Sequence, residues 1–212
     1  MKSTSQTTKV VKTVAPEKID KNLLVLGKIS SFSMGPQECK KIEVKYNNES
    51  LYIMGGKMYA PFGLNQYPKP EDCNSGSKPK YHINFNYKGE KDGFKDYETV
   101  GKLYRKMNDL DLHLMEHLLN HSGSILNEAT TEYSIIDNMY NRMVQRPTSA
   151  EYDPFTKIKL LTEYKNPKLF KDISFYNSND NKNALKMDVN SLRTYLEKRK
   201  WLRPIFKMDC IY

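Results

Sequence analysis

The sequence is short of most features that would assign a chemistry at once. Across its 212 residues no run of about 18 apolar residues occurs, so no segment reads as a membrane-spanning helix. Cysteine is scarce: Cys39, Cys73 and Cys210 form no CxxC pair, and an odd number argues against a complete disulfide framework and for a reducing compartment. There is no GxSxG elbow, no Walker A lysine loop and no GxGxxG fingerprint. The pair Gly55-Gly56 lacks both the further glycine and the strand-to-helix context that such loops need. The opening MKSTSQTTKVVKTVAPEK has no apolar secretory core and is only loosely like a transit peptide. These absences leave no catalytic residue, cofactor or metal to expect, and the chain reads as a non-enzymatic protein. The one enzymatic alternative is a metal-dependent nuclease with ligands scattered among the acidic residues.

Positive charge and tyrosine are what the chain has in excess. A formal charge of +9 and a pI near 9.2 point to a polyanionic partner. The charge is uneven. Lys2, Lys9, Lys12, Lys18 and Lys21 face only Glu17 and Asp20 in the first 21 residues, and 182–207 carries eight Lys or Arg against Asp188 and Glu197. Fifteen tyrosines exceed ordinary usage, and each offers a flat face for stacking with a polar rim.

Residues 1–21 read as a flexible basic arm and 22–212 as one domain. NLLVLGKISSFSM opens as a buried strand and ends at Gly35-Pro36. KKIEVKY alternates, with Ile42, Val44 and Tyr46 on one face. Asn47-Asn48 then reads as a tight turn into LYIM, predicting a hairpin over 41–54. Four prolines and an NSGS cluster predict a long loop from Ala60 to Pro79. In KYHINFNYK, Tyr81, Ile83, Phe85 and Tyr87 share a core face, and His82, Asn84 and Asn86 share the other.

After Gly93 the period changes to helical. Tyr97, Val100, Leu103, Met107, Leu110, Leu114 and Leu118 predict an amphipathic helix from about Tyr97 to Asn120, and a second is predicted from Thr131 to Gln145 with Ile135, Ile136, Met139 and Met143 inward. FTKIKLL, DISFYN and RPIFKMDCIY read as strands, with a short helix between the last two behind a capping Asp188 or Asn190. The chain stops at Tyr212 inside the last of these, as a fragment of a longer protein would. This order of elements predicts an α+β fold: an antiparallel, OB-like Greek-key β-barrel with a two-helix insertion and a short C-terminal helix.

His113, His117 and His121 stand at i, i+4 and i+8, and HLMEH spells H-x-x-E-H, yet so short a pattern arises easily beside an apolar helix stripe and names no further ligand. The stronger signal is aromatic residues interleaved with lysines on strands, the two elements that hold single-stranded nucleic acid. In LYIMGGKMYAPFGL, alternation gives Leu51 and Ile53 to the core and turns Tyr52 and Met54 outward. Tyr52, Tyr59 and Phe62 are thus the expected stacking residues. Lys57, Lys41, Lys45, Lys157 and Lys159 are expected to track phosphates, and Arg199, Lys200 and Arg203 to extend the positive surface.

The same LYIMGGKMYAPFGL stretch, followed by YHINFNY, a helical insertion and KIKLL, resembles the OB-fold single-stranded DNA-binding proteins of nucleocytoplasmic large DNA viruses, a group distantly similar to the replication single-strand binder of T-odd podophages. The likeness covers 22–212 in order of elements and is specific at 51–64. It implies a sequence-tolerant coat for unwound DNA in viral replication, recombination or repair, located in the host cytoplasm, a viral replication factory or the virion. Replication proteins are the implied partners, with no membrane; RNA binding and homo-oligomerisation stay open. The podophage branch carries an acidic C-terminal tail, and no such segment follows Tyr212 in this sequence; either the tail belongs to a longer chain of which this is a fragment or partner contacts differ here, and dimer formation through that tail is in doubt. A rival reading of the same charge is a virion or scaffold protein whose basic face meets duplex DNA or protein.

Overall fold

The computed structural model describes residues 12–34, 37–70, 78–87, 96–126, 129–177, 180–197 and 200–211. In chain order the strands are β1 (Thr13–Val14), β2 (Leu24–Met34), β3 (Gln37–Tyr46), β4 (Leu51–Met54), β5 (Met58–Ala60), β6 (Leu64–Tyr67) and β7 (Lys80–Asn86). Helices α1 (Tyr97–Asn120), α2 (Ser122–Leu126) and α3 (Tyr133–Met139) follow. Then come β8 (Val144–Gln145), β9 (Phe155–Leu160), β10 (Phe175–Asn177), β11 (Asp180–Leu185), α4 (Val189–Tyr195), β12 (Lys200–Leu202), β13 (Ile205–Met208) and β14 (Cys210–Ile211). The fold is α+β, antiparallel except where β1 runs parallel to β4, and no sheet closes into a barrel among the described residues.

The chain divides into two compact units. The first takes Met1–Gly55, Asp109–Asn141 and Pro204–Tyr212; the second takes Gly56–Asn108 and Arg142–Arg203. In the first unit, β2 and β3 form a long hairpin with β14 on the far edge of β3, and β4 lies between β1 and β13. Ile42, Met115, Leu118 and Ile136 make a buried cluster there, joined by Leu26, Ile29 and Tyr140. The buried Asp111 of this unit is paired, its Oδ1 accepting the Tyr140 hydroxyl at 2.8 Å.

The hairpin expected over 41–54 forms differently. Asn47 and Asn48 do make a tight turn, with φ of 49° and 63° in the left-handed region that asparagine tolerates, and they close a bridge between Tyr46 and Glu49. Both edges of β3 are already taken by β2 and β14, so β4 pairs with β1 and β13 instead. The turn at Gly35-Pro36 lies outside the described residues, between strands joined at Met34 and Gln37.

Helix α1 spans the predicted bounds, and every residue of its predicted stripe is buried except Tyr97 in the first turn. The second predicted helix is cut short at Met139, where Ile135 and Met139 are exposed and only Ile136 is buried. The chain beyond it is drawn into the sheet, with β-branched Val144 pairing to Thr156 of β9. Asp188 caps α4, its carboxylate accepting from the Ser191 amide at 2.7 Å, and that bond holds its pKa below the ordinary carboxylate value. The predicted loop 60–79 contains β6, and its 71–77 part, including Cys73, lies outside the described residues.

In the second unit, one sheet runs in the order β12-β5-β7-β9-β8, with β6 also pairing β7. Strands β10 and β11 make a separate hairpin.

Candidate nucleic-acid interface

Residues directly opposite one another in an antiparallel pair lie on the same face, so the register of this sheet sorts its side chains without ambiguity. One face collects Tyr81, Ile83 and Phe85 of β7, Thr156, Ile158 and Leu160 of β9, Met58 and Ala60 of β5, and Val144 of β8. Most of these are buried, as the alternation in KYHINFNYK requires. Tyr87, next along, is buried with its ring 5.3 Å from that of Tyr104 on α1.

The opposite face has another character. His82, Asn84 and Asn86 of β7 stand beside Lys159, Lys157 and Phe155 of β9 respectively. Asn86 is also opposite Tyr59 of β5, and Tyr59 is opposite Trp201 of β12, the two rings 5.0 Å apart. On β6, Asn65 is opposite His82 and Tyr67 is opposite Lys80, while Gln145 of β8 is opposite Phe155. All these side chains are half-buried or exposed, and none that the register places here is acidic.

Strands β5 and β6 both pair with β7 from the same side, and the break between them shapes the face. Tyr59 is opposite Asn86 and Leu64 is opposite Ile83, so four residues, Ala60 to Gly63, lie against only Asn84 and Phe85. Such a bulge re-aims side chains, and Phe62 at its crest is 61% exposed. Gly63 makes the bulge feasible: its φ is +62°, and a Cβ there would meet the Leu196 carbonyl oxygen at 2.6 Å.

One electrostatic feature bears on the face and another lies off it. Burial, reinforced by the neighbouring Lys157, holds the His82 pKa below its ordinary value of 6.5, so His82 is neutral at pH 7 and lysines supply the charge. Off the face, Asp96 accepts the Lys57 amide at 3.0 Å and Arg203 Nη2 at 2.9 Å, so the Arg203 charge is already matched. The Arg203 bond, then the Lys57 amide, holds the Asp96 carboxyl below its usual range.

The expected site residues are therefore sorted rather than pooled. The sheet face unites Tyr59, Lys157 and Lys159, and Phe62 is exposed in the connection between β5 and β6. Lys200 is exposed but opposite Ala60, on the core face at the edge strand, and Lys57 is exposed just before β5. Arg199 lies outside the described residues. Tyr52, Lys41 and Lys45 belong to the first unit. There Tyr52 is half-buried opposite Lys207, Lys45 pairs with Glu43 at 3.3 Å, and Lys41 acts on Asp209.

Trp201, Phe155, Tyr67 and the amide side chains were not singled out from sequence. The only signal for them was the polar alternation of His82, Asn84 and Asn86, because the strand neighbours that bring the aromatics alongside are distant in the chain.

The histidine stripe lies in the first unit, where the His117 and His121 rings stack at 4.1 Å and His121 Nδ1 is 2.9 Å from the His117 carbonyl. Burial first, and the neighbouring histidines next, lower the His117 pKa. Among the described residues no group of three or more His, Cys, Asp or Glu side chains is arranged to hold a metal ion, and no helix is long and apolar enough to cross a membrane.

No family model, curated protein or solved structure matches this chain.

Proposed function

We propose that the chain binds single-stranded nucleic acid on the polar face of the six-stranded sheet. One observation carries this: that face combines aromatic rings with lysines and has no acidic residue placed on it by the register. Tyr59, Trp201, Phe155 and the bulge residue Phe62 supply surfaces on which unpaired bases stack, each stack contributing about 1–3 kcal/mol. Lys157, Lys159 and Lys80 neutralise phosphates and release counterions, a contribution that weakens with salt. No step of bond chemistry is involved, so the protein acts as a binder and not as an enzyme.

DNA is the proposed ligand, and coating of unwound strands in viral replication, recombination or repair is the proposed role; the resemblance of residues 51–64 to single-stranded DNA-binding proteins of large DNA viruses supports both. An OB-like barrel belongs to the same proposal. Its support is the antiparallel pairing and the helices lying between β7 and β9 in the chain. Stacking and phosphate contact are largely indifferent to base identity, so binding tolerates sequence.

Fluorescence anisotropy with a labelled oligonucleotide across a salt series tests this. The expected result is salt-sensitive binding of single strands, weaker binding of the matching duplex, and a weakened complex for Tyr59→Ala. Equal affinity for duplex and single strand would instead favour the basic scaffold reading and sink this one. Degradation of the oligonucleotide with Mg²⁺ would mark a nuclease.

A further inference from the structure

Stacking and phosphate neutralisation need rings and cations, yet the centre of this face is a row of hydrogen-bonding side chains, His82, Asn84 and Asn86. Asn84 is the odd member. Its Oδ1 is shielded from solvent and accepts no hydrogen bond among the described residues. A buried acceptor without a donor is costly, and folded chains retain few of them. Asn84 also occupies a particular place: Lys157 is directly opposite it on β9, and the Ala60–Gly63 bulge with exposed Phe62 lies along its other side.

Resting on the proposed function, we infer that Asn84 determines selectivity for unpaired bases, its Oδ1 accepting an N–H from the Watson–Crick edge of a base stacked at the bulge. The bound base reaches Oδ1 by displacing the side chains that shield it, and the Lys157 ammonium on the neighbouring strand serves the adjacent phosphate. Every standard base presents such an N–H when unpaired, and in a duplex that N–H is consumed by the complementary strand. The contact thus rejects duplex without selecting a sequence. It explains why an acceptor is kept where an apolar residue would be more stable.

The test is a coupling cycle between protein and ligand. Oligo-dT is compared with the same oligomer carrying N3-methylthymine, which loses the imino N–H but keeps its ring and phosphates. The native chain is expected to bind the methylated strand about tenfold more weakly, the scale of one good base-edge contact. Asn84→Leu is expected to bind both strands alike, to discriminate less against duplex, and to be no less resistant to urea than the native chain. Equal binding of the two strands by the native chain overturns the inference, as does an undiminished penalty in Asn84→Leu. If Asn84→Leu does not fold, Asn84 is structural and the inference falls. Failure of the native chain to bind oligo-dT at all is the distinct result that removes the proposed function itself.

Discussion

Strand β7 presents Tyr81, Ile83 and Phe85 to one side of its sheet, all buried, and His82, Asn84 and Asn86 to the other, all half-buried. The neighbours follow suit: Ile158 and Met58 join the first set, while Lys157 and Tyr59 join the second. The first face stabilises the unit by removing apolar area from water. The second retains a shielded, unsatisfied amide oxygen and a histidine whose charged form burial disfavours. Both groups belong to the surface proposed to bind nucleic acid.

The contrast can be broken most forcefully from the core side. Phe85→Ala should lower the unfolding free energy by about 3–5 kcal/mol, since its ring is 3% exposed and leaves a cavity, and urea denaturation would measure this. Gly63→Ala should cost about 1–3 kcal/mol, because the residue is left-handed and its new methyl group meets backbone, which gives way less readily than a side chain. The same substitution should weaken single-strand binding at protein concentrations where the variant stays folded, because it disturbs the bulge that displays Phe62.

On the polar face the order of effects reverses. Lys157→Gln combined with Lys159→Gln should leave the urea midpoint nearly unchanged, yet reduce the slope of log affinity against log salt by about 0.7 per lysine. The smallest effect concerns pH. The folded pKa of His82 lies below 6.5, so the unfolded chain takes up its proton first on acidification. The contribution of His82 to stability is therefore complete above pH 6.5 and lost as the pH falls from there toward the folded value. His82→Gln should flatten that part of the urea midpoint against pH, leaving the part due to His117.

Much of this was legible locally. The period-2 pattern of KYHINFNYK and the period of the 97–120 stripe each identify an element and its buried face, because burial must repeat at the pitch of the backbone. A cap at Asp188 or Asn190, of which the structure uses Asp188, and a turn at Asn47-Asn48 were readable for equally local reasons. The hairpin over 41–54 was not, since it depended on whether β14, some 170 residues later in the chain, would occupy the edge of β3. The helix to Gln145 failed for a similar cause: Val144 is claimed by β9.

The stretch 51–64 shows the same division at the candidate site. Alternation correctly separates buried Leu51 and Ile53 from half-buried Tyr52, but the boundary between the two units falls at Gly55 and Gly56 and assigns Tyr52 to the first unit and Tyr59 and Phe62 to the second. The sequence by itself determined the α+β class, the α1 stripe, the core face of β7 and the basic, tyrosine-rich character of the chain, all set by spacing or composition. Only the tertiary structure decided which strands neighbour one another. Cross-strand register therefore chose Trp201 and Phe155 as companions of Tyr59 and Lys157, because hydrogen-bonded pairing joins residues that spacing along the chain cannot relate.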